Sequence, residues 1–471
     1  MTDLPSSSVS DDRSDGLAEP NLPSASVLAQ HLAETLVDQA ETPWRTLLSH
    51  LELHVMRSIF RMNILPHRRQ KKLSRQIAKR TPERFLSVAR HAESQRSGAY
   101  ANLSSLSEYR AYNPELDVPD PDVRAIAFYL PQFHPFPEND QWWGKGFTEW
   151  TNVGKAKPLF QGHYQPHCPI HLGYYDLRIP DVMVEQARIA RQHGIGGFAY
   201  HFYWFSGRTL MERPLRAMLA NQEVDIPFFL SWANENWTRR WDGKDSEVLI
   251  KQTHSDEDSQ AMMRHICQYM RDPRYIRVNG RPVLSIYRPR QIPRLSATLQ
   301  ILRDEARKQG VGDLYLIGIQ RDMTEDHRKD GFDVNLEFAP HGIDQTDLSA
   351  IYPLQNRSFT GRLHDYDTAV SVALAQDDSG LQRHRCATLS WDNTARSPDR
   401  AMIYVGFSVD SYKRWLTELC ARARAETWRH PDERFVFINA WNEWAEGTHL
   451  EPDQRYGFAY LEATRQAVLG K

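Results

Sequence analysis

From residue 123 onward the chain alternates short apolar runs with longer stretches whose apolar positions recur every three or four residues. Continuous apolar runs bounded by turn or polar residues predict strands over 125–130, 197–203, 227–232, 283–287, 314–319, 334–338, 386–391 and 434–440. The amphipathic stretches 182–193, 256–271, 295–309 and 409–427 predict helices between several of them. Eight strands with helical crossovers predict an α/β fold, a (β/α)8 TIM-type barrel spanning 123–471. A doubly wound sheet is the competing architecture, but no glycine-rich phosphate loop follows the first strand. Residues 339–385 read as long and irregular.

Upstream the pattern changes. Residues 1–24 are rich in Ser, Pro, Asp and Glu and read as a disordered tail. Residues 25–112 carry helical periodicity and predict a small helical region, and the prolines of 113–122 mark a linker. Within the helical region, 61–80 gathers Arg68, Arg69, Lys71, Lys72, Arg75, Lys79 and Arg80. That cluster is either a solvated helix face or a peripheral contact with an anionic membrane surface or lipid-linked substrate.

Composition narrows the function classes. The 471 residues are 41% hydrophobic and 25% charged with a net charge of −2, which fits a soluble globular protein and argues against a nucleic-acid partner. No run of 18 apolar residues predicts a spanning helix, and the acidic N-terminus lacks the basic and apolar regions of a signal peptide. The expected compartment is the cytoplasm, with membrane association through the basic cluster. The four cysteines are scattered and read as free thiols. Ten of the thirteen tryptophans lie in or beside predicted strand ends, which favours a site over a core as their destination.

Barrel active sites sit where strands hand over to the loops that follow them, and here those handovers are polar and aromatic. The first strand runs into Gln132, His134, Trp142, Trp143, Glu149 and Trp150, and the second into His201, Tyr203 and Trp204. Asn234, Glu235 and Trp237 follow the third, Tyr287 the fourth, Gln320 the fifth and Glu337 the sixth. Asp392 and Arg396 follow the seventh, and the eighth ends in Trp441-Asn442-Glu443-Trp444-Ala445-Glu446-Gly447. Two carboxylates three residues apart can share one side of a short helix, about 5–6 Å apart at Cβ. Such spacing suits the roughly 5–5.5 Å carboxyl separation of retaining glycosidases, whereas ordinary acids at a helix N-terminus would need no chemistry. Indole rings stack on sugar faces, and Asn234, Asn442, His201 and Asp392 could hydrogen-bond hydroxyls.

The segments Phe128-Tyr129-Leu130-Pro131-Gln132-Phe133-His134-Pro135, Trp142 to Trp150, Asp392-Asn393-Thr394-Ala395-Arg396 and Asn442 to Gly447 resemble the WbsX-type family. That family is described as glycosyltransferases of polysaccharide biosynthesis, related to glycoside hydrolase family 99, the endo-α-mannosidases. The resemblance covers residue 123 to the C-terminus. It implies a (β/α)8 barrel, no metal requirement and two acting glutamates. By position, Glu443 would act on the sugar 2-hydroxyl, giving a 1,2-anhydro intermediate, and Glu446 would be general acid and then base. Ala445 stands where the mannosidases usually carry histidine, a departure that bears on sugar specificity rather than on the carboxylates.

His163, His167 and His171 recur at four-residue intervals around Cys168, but Pro166 and Pro169 break any helix that would align them as metal ligands. No nucleophile elbow or Walker loop is present, and the pairs Asp120-Pro-Asp122, in a proline-rich linker, and Asp365-Tyr-Asp367, in the irregular stretch, are poorly suited to a nucleotide-sugar metal. The expectation is a carbohydrate-active enzyme without cofactor or metal. It would cleave or transfer glycosyl units with retention on a glycan or glycolipid of surface polysaccharide (lipopolysaccharide O-antigen or capsule). A donor-dependent glycosyltransferase and a non-catalytic glycan-binding barrel are the alternatives.

Overall fold

The computed structural model describes residues 108–239, 244–343, 345–350, 352, 354–356, 358–376 and 380–470. The expected tail, nearly all of the helical region and the basic cluster of 61–80 lie outside these residues.

Eight strands form the barrel: β1 (Arg124–Tyr129), β2 (Ile195–Phe205), β3 (Phe228–Trp232), β4 (Arg281–Ile286), β5 (Tyr315–Ile319), β6 (Val334–Leu336), β7 (Arg383–Thr388) and β8 (Phe435–Asn439). Each pairs in parallel with its neighbours in chain order, and β8 returns to β1 to close the ring. Seven of the eight are buried at every position but one at most, and apart from β7, with its Arg-His-Arg start, they therefore read as continuous apolar runs rather than alternating ones. Inside the ring, Phe128 packs on Phe338 and Phe437 with centroids 4.8 and 5.7 Å away, and Trp441 packs on Phe198 at 5.1 Å on the helix-facing side of β2.

Seven helices dress the barrel: α1 (Pro180–Gln192), α2 (Glu212–Ala220), α3 (Asp256–Met270), α4 (Leu295–Lys308), α5 (Tyr366–Ala375), α6 (Val409–Ala425) and α7 (Ala459–Val468). Their starts follow local chemistry. Ser255 caps α3 by accepting from the Asp258 amide at 3.0 Å, with three acids in the first turn facing the helix dipole. Ser408 caps α6 in the same way. Between β5 and β6 only a 3-10 turn, His327–Asp330, makes the crossover. Helix α5 lies within the stretch read as irregular. Asp365 caps it, but its sequence Tyr-Asp-Thr-Ala-Val-Ser-Val-Ala-Leu-Ala is apolar on several sides, so no helical stripe stands out.

The segment leading into β1 has no regular structure, yet it is tied along the barrel. Arg110 exchanges backbone hydrogen bonds with Tyr456 and Phe458, at 3.1 and 2.9 Å. Gly457, at φ +57°, permits that approach: a Cβ there would lie 2.1 Å from the Arg110 carbonyl. Tyr112 packs on Phe458 and His171, Gln192 donates to the Pro114 and Leu116 carbonyls, and Arg465 binds Asp117. A chain shortened to begin at Pro119 should therefore melt about 2–5 °C below one beginning at Glu108. Equal melting temperatures would show that this strap adds nothing to the barrel.

Candidate active site

Past β8 the chain turns back on itself. Asn442–Glu443 pairs antiparallel with Thr448–His449, and a 3-10 turn, Trp444–Glu446, forms the tip between them. The pair of glutamates therefore sits on a hairpin, not on the short α-helix expected from the sequence. A 3-10 turn eclipses residues three apart, so Glu443 and Glu446 still face the same way. Gly447 closes the turn at φ +64°, and a Cβ there would come within 2.9–3.0 Å of Asp392 backbone atoms. The close approach is used: the Asp392 amide donates to the Glu446 carbonyl at 2.7 Å.

Asp392 opens a second 3-10 turn, Asn393–Ala395, which delivers Arg396. Its carboxylate accepts from the Thr394 amide at 3.0 Å, from Gln165 at 2.8 Å and from His163 Nε2 at 2.6 Å. Because His163 Nδ1 accepts from the Leu159 amide, Nε2 is the nitrogen that carries the proton. Burial alone would raise the Asp392 carboxyl, but His163 and these donors outweigh it and hold it at about 2.

Arg396 gathers three carboxylates. Its Nη2 donates to Glu443 at 2.8 Å and to Glu149 at 2.9 Å, Nε donates to Glu149 at 3.1 Å, and Nη1 binds Glu446. Glu149, at the start of the helix Glu149–Lys155, is wholly buried and is held from its other oxygen by Asn152 at 3.0 Å. The side chain of Glu446 is 19% exposed, against 9% for Glu443. Burial pushes the Glu443 carboxyl up to about 8; Arg396 opposes the rise, and Glu446 and Glu149 add to it.

Several other sequence-predicted residues lie close by. Tyr203 is next to Glu443, and burial followed by that carboxylate raises its hydroxyl far above the ordinary tyrosine value. His201 stacks on Phe128 and is held at about 4 by burial and by Arg396. Trp237 meets Tyr203 edge-on at 5.2 Å, and with half-buried Trp142 and Trp143 it joins an aromatic cluster around Phe147. Gln132, fully buried, and His201 Nδ1 find no hydrogen-bond partner among the described residues. Buried His134 lies 5.7 Å from Phe136.

Others are engaged in holding the frame. Asn442 is buried, with its carbonyl on the Leu130 amide (2.8 Å) and its nitrogen on the Leu130 carbonyl (3.0 Å). Asn234 makes the same double bond with the Arg288 backbone, and Glu235 binds the Arg288 side chain at 2.5 Å. Trp441 and Trp444 are buried, and Trp444 Nε1 donates to Glu451 at 2.6 Å. Trp204 donates to Asp258 and Trp150 to the Tyr175 carbonyl. Tyr287 accepts from Arg321 at 2.8 Å. The three spaced histidines diverge, His163 to Asp392, His167 to His449 and His171 to Glu185. Sequence reasoning missed His163 and Gln165 as partners of Asp392. These contacts span 229 and 227 residues, and no local pattern marks them.

A profile of the family Glycosyltransferase WbsX matches residues 125–464. A curated relative, "Uncharacterized protein WxcX" of Xanthomonas campestris pv. campestris strain B100, is 42% identical over 387 residues, 82% of this chain and 55% of the relative. The chain thus spans about half the length of the curated relatives it matches. Among solved structures, the GH99 endo-alpha-mannosidase from Bacteroides thetaiotaomicron is 13% identical, with 73% of this chain and 96% of that chain covered and a TM-score of 0.45. A "Glycoside hydrolase-like protein" is 15% identical, with 77% and 98% covered and a TM-score of 0.46.

The raised Glu443 carboxyl has a consequence for stability that needs no substrate. Unfolded, the group ionises near 4.5; folded, near 8. As pH rises between those values the unfolded chain loses this proton first, so the folded state loses relative stability, and the loss is complete above about 8. Glu443→Gln removes the penalty while its amide oxygen can still accept from Arg396. Its unfolding free energy should exceed that of wild type by a margin that widens from pH 5 to 8, on the order of 1–3 kcal/mol at the plateau, read as a growing gap in melting temperature. A pH-independent difference between the two would show that Glu443 ionises normally.

Proposed function

Because the chain belongs to the WbsX glycosyltransferase family, we propose that it cleaves or transfers glycosyl units with retention, with Glu443 and Glu446 as its acid–base pair. The observation that carries this reading is the attachment of both carboxylates to neighbouring nitrogens of Arg396. Two carboxyls held by one guanidinium are near neighbours, an arrangement compatible with the roughly 5–5.5 Å of a retaining pair. The surface-polysaccharide setting, a glycan or glycolipid substrate and a cytoplasmic location belong to the same proposal. Among the described residues no helix is long and apolar enough to cross a membrane.

Acid–base work needs one proton on the pair. In the free protein burial favours the protonated form of Glu443, the more buried member of the pair. The scheme implied by the family-99 resemblance needs the reverse: Glu443 takes the proton of the sugar 2-hydroxyl while Glu446 gives one to the leaving oxygen. Arg396 touches both, so a small shift of its guanidinium from Glu446 toward Glu443 would favour that exchange when substrate binds. Gln132 and His201 Nδ1, which have no hydrogen-bond partner among the described residues, would bind hydroxyls. Trp142, Trp143 and Tyr203 supply aromatic surface for a ring face.

Purified protein screened against defined α-linked oligosaccharides, with and without nucleotide sugars, tests the reading. Turnover without a donor supports retaining cleavage, strict donor dependence supports the transferase alternative, and binding without turnover would leave a glycan-binding barrel. On a confirmed substrate, Glu443→Gln and Glu446→Gln should each lower kcat by about 10²–10⁴. Since the pair must keep one proton, kcat/KM should fall as pH rises through about 8. Activity still climbing at pH 9 would remove Glu443 from the acid–base pair.

A further inference from the structure

Apart from the carboxylate cluster, a second group of buried polar side chains meets behind the hairpin, and we propose that it is a structural site for a divalent transition metal, best matched to zinc. The ligands are His167, His449 and Asp453. All three are buried, and one ligand atom from each lies within 4.8 Å of the others. His167 Nδ1 stands 2.8 Å from His449 Nε2, which is 3.8 Å from an Asp453 carboxylate oxygen. Ligand atoms around a tetrahedral zinc, with bonds of about 2.0–2.2 Å, are roughly 3.3 Å apart, so small side-chain shifts bring the three into register. A cavity of about 10 Å³, the size of one small sphere, is lined by the same three residues.

Two of the three ligands are already oriented by partners outside the cluster, as metal ligands are. His449 Nδ1 donates to the Glu451 carbonyl at 2.9 Å, which fixes its proton there and leaves Nε2 bare. Asp453 accepts the Arg455 and Tyr456 amides through one oxygen, at 3.0 and 2.7 Å. Its carboxyl also neighbours the Tyr164 hydroxyl. Without a metal, the two imidazoles must share one proton, and His167 Nε2 is then left in the interior with no hydrogen-bond partner. An ion between the rings replaces that proton, which can move to His167 Nε2. Asp453 and, from the His167 side, Asp392 offset the charge, against Arg455. An N2O donor set with room for one water is zinc chemistry.

The site would fasten the loop carrying His167 to the segment after the hairpin, where Ile170 and Gln454 already bond across to Pro452 and Cys168. His449 also stacks on Trp444 at 3.6 Å and 12°, between the two glutamates in sequence. The metal would therefore be structural, bracing the hairpin from behind rather than taking part in the proposed glycosyl chemistry.

The test uses the full chain with any affinity tag removed, equilibrated with zinc, desalted and assayed by elemental mass spectrometry. His167→Gln should bind about one zinc per chain fewer than wild type, as should Asp453→Asn, whereas His171→Gln should match wild type. Cobalt-loaded wild type should show the intense visible absorption of four-coordinate cobalt, and zinc should raise its melting temperature by several degrees. Equal zinc content in wild type and a folded His167→Gln would overturn the proposal. So would cobalt-loaded wild type with only the weak absorption of the aqueous ion.

Discussion

The site hangs on one guanidinium. Arg396 carries a single positive charge, and three largely buried carboxylates, Glu149, Glu443 and Glu446, bind it at once. Three ionised acids around one cation in a desolvated space would be severely repulsive, so the cluster must keep a proton. That electrostatic requirement is what would suit two nearby glutamates to the proposed acid–base work at neutral pH. Glu149, wholly buried and tied by Asn152, fixes the arginine and adds to the pressure on Glu443.

Everything that positions Arg396 is therefore part of the site. The Asp392 turn, its His163 and Gln165 partners and its bond to the Glu446 carbonyl lock two loops together at a distance only glycine at 447 allows. The barrel contributes by bringing the ends of β7 and β8 side by side, with Thr388 Oγ1 donating to the Asn439 carbonyl at 3.0 Å where they meet. Charge placement here is a property of loop closure on a stiff scaffold.

How much of this the sequence revealed depended on how local the physics is. Strands buried on both faces announce themselves as apolar runs, and all eight lie within a few residues of the expected places. Helices α1, α3, α4 and α6 carried a clear apolar stripe, while α5 did not. At the site, the glutamate pair and the polar strand ends were legible because barrels place such residues at one rim. The 3-10 hairpin was not, since a three-residue spacing fits either helix type. Nor was the sharing of Arg396, which joins residues up to 247 positions apart.

The aromatic residues show the same limit from the other side. Sequence position placed Trp441 and Trp444 beside the glutamates and invited a stacking role for both. In the fold, Trp444 lies flat on His449 and donates to Glu451, which also accepts from Gln186 at 2.6 Å and Tyr175 at 2.9 Å. A buried acid with that many donors is fully satisfied and holds its donors rigidly. The indole nearest the glutamates in sequence thus braces the hairpin from behind, and Trp142, Trp143 and Trp237, far upstream, form the aromatic cluster that reaches Tyr203. A rigid back wall and a partly exposed aromatic front are different jobs, and the barrel assigns them by which loop each tryptophan rides on, not by its distance from the glutamate pair along the chain.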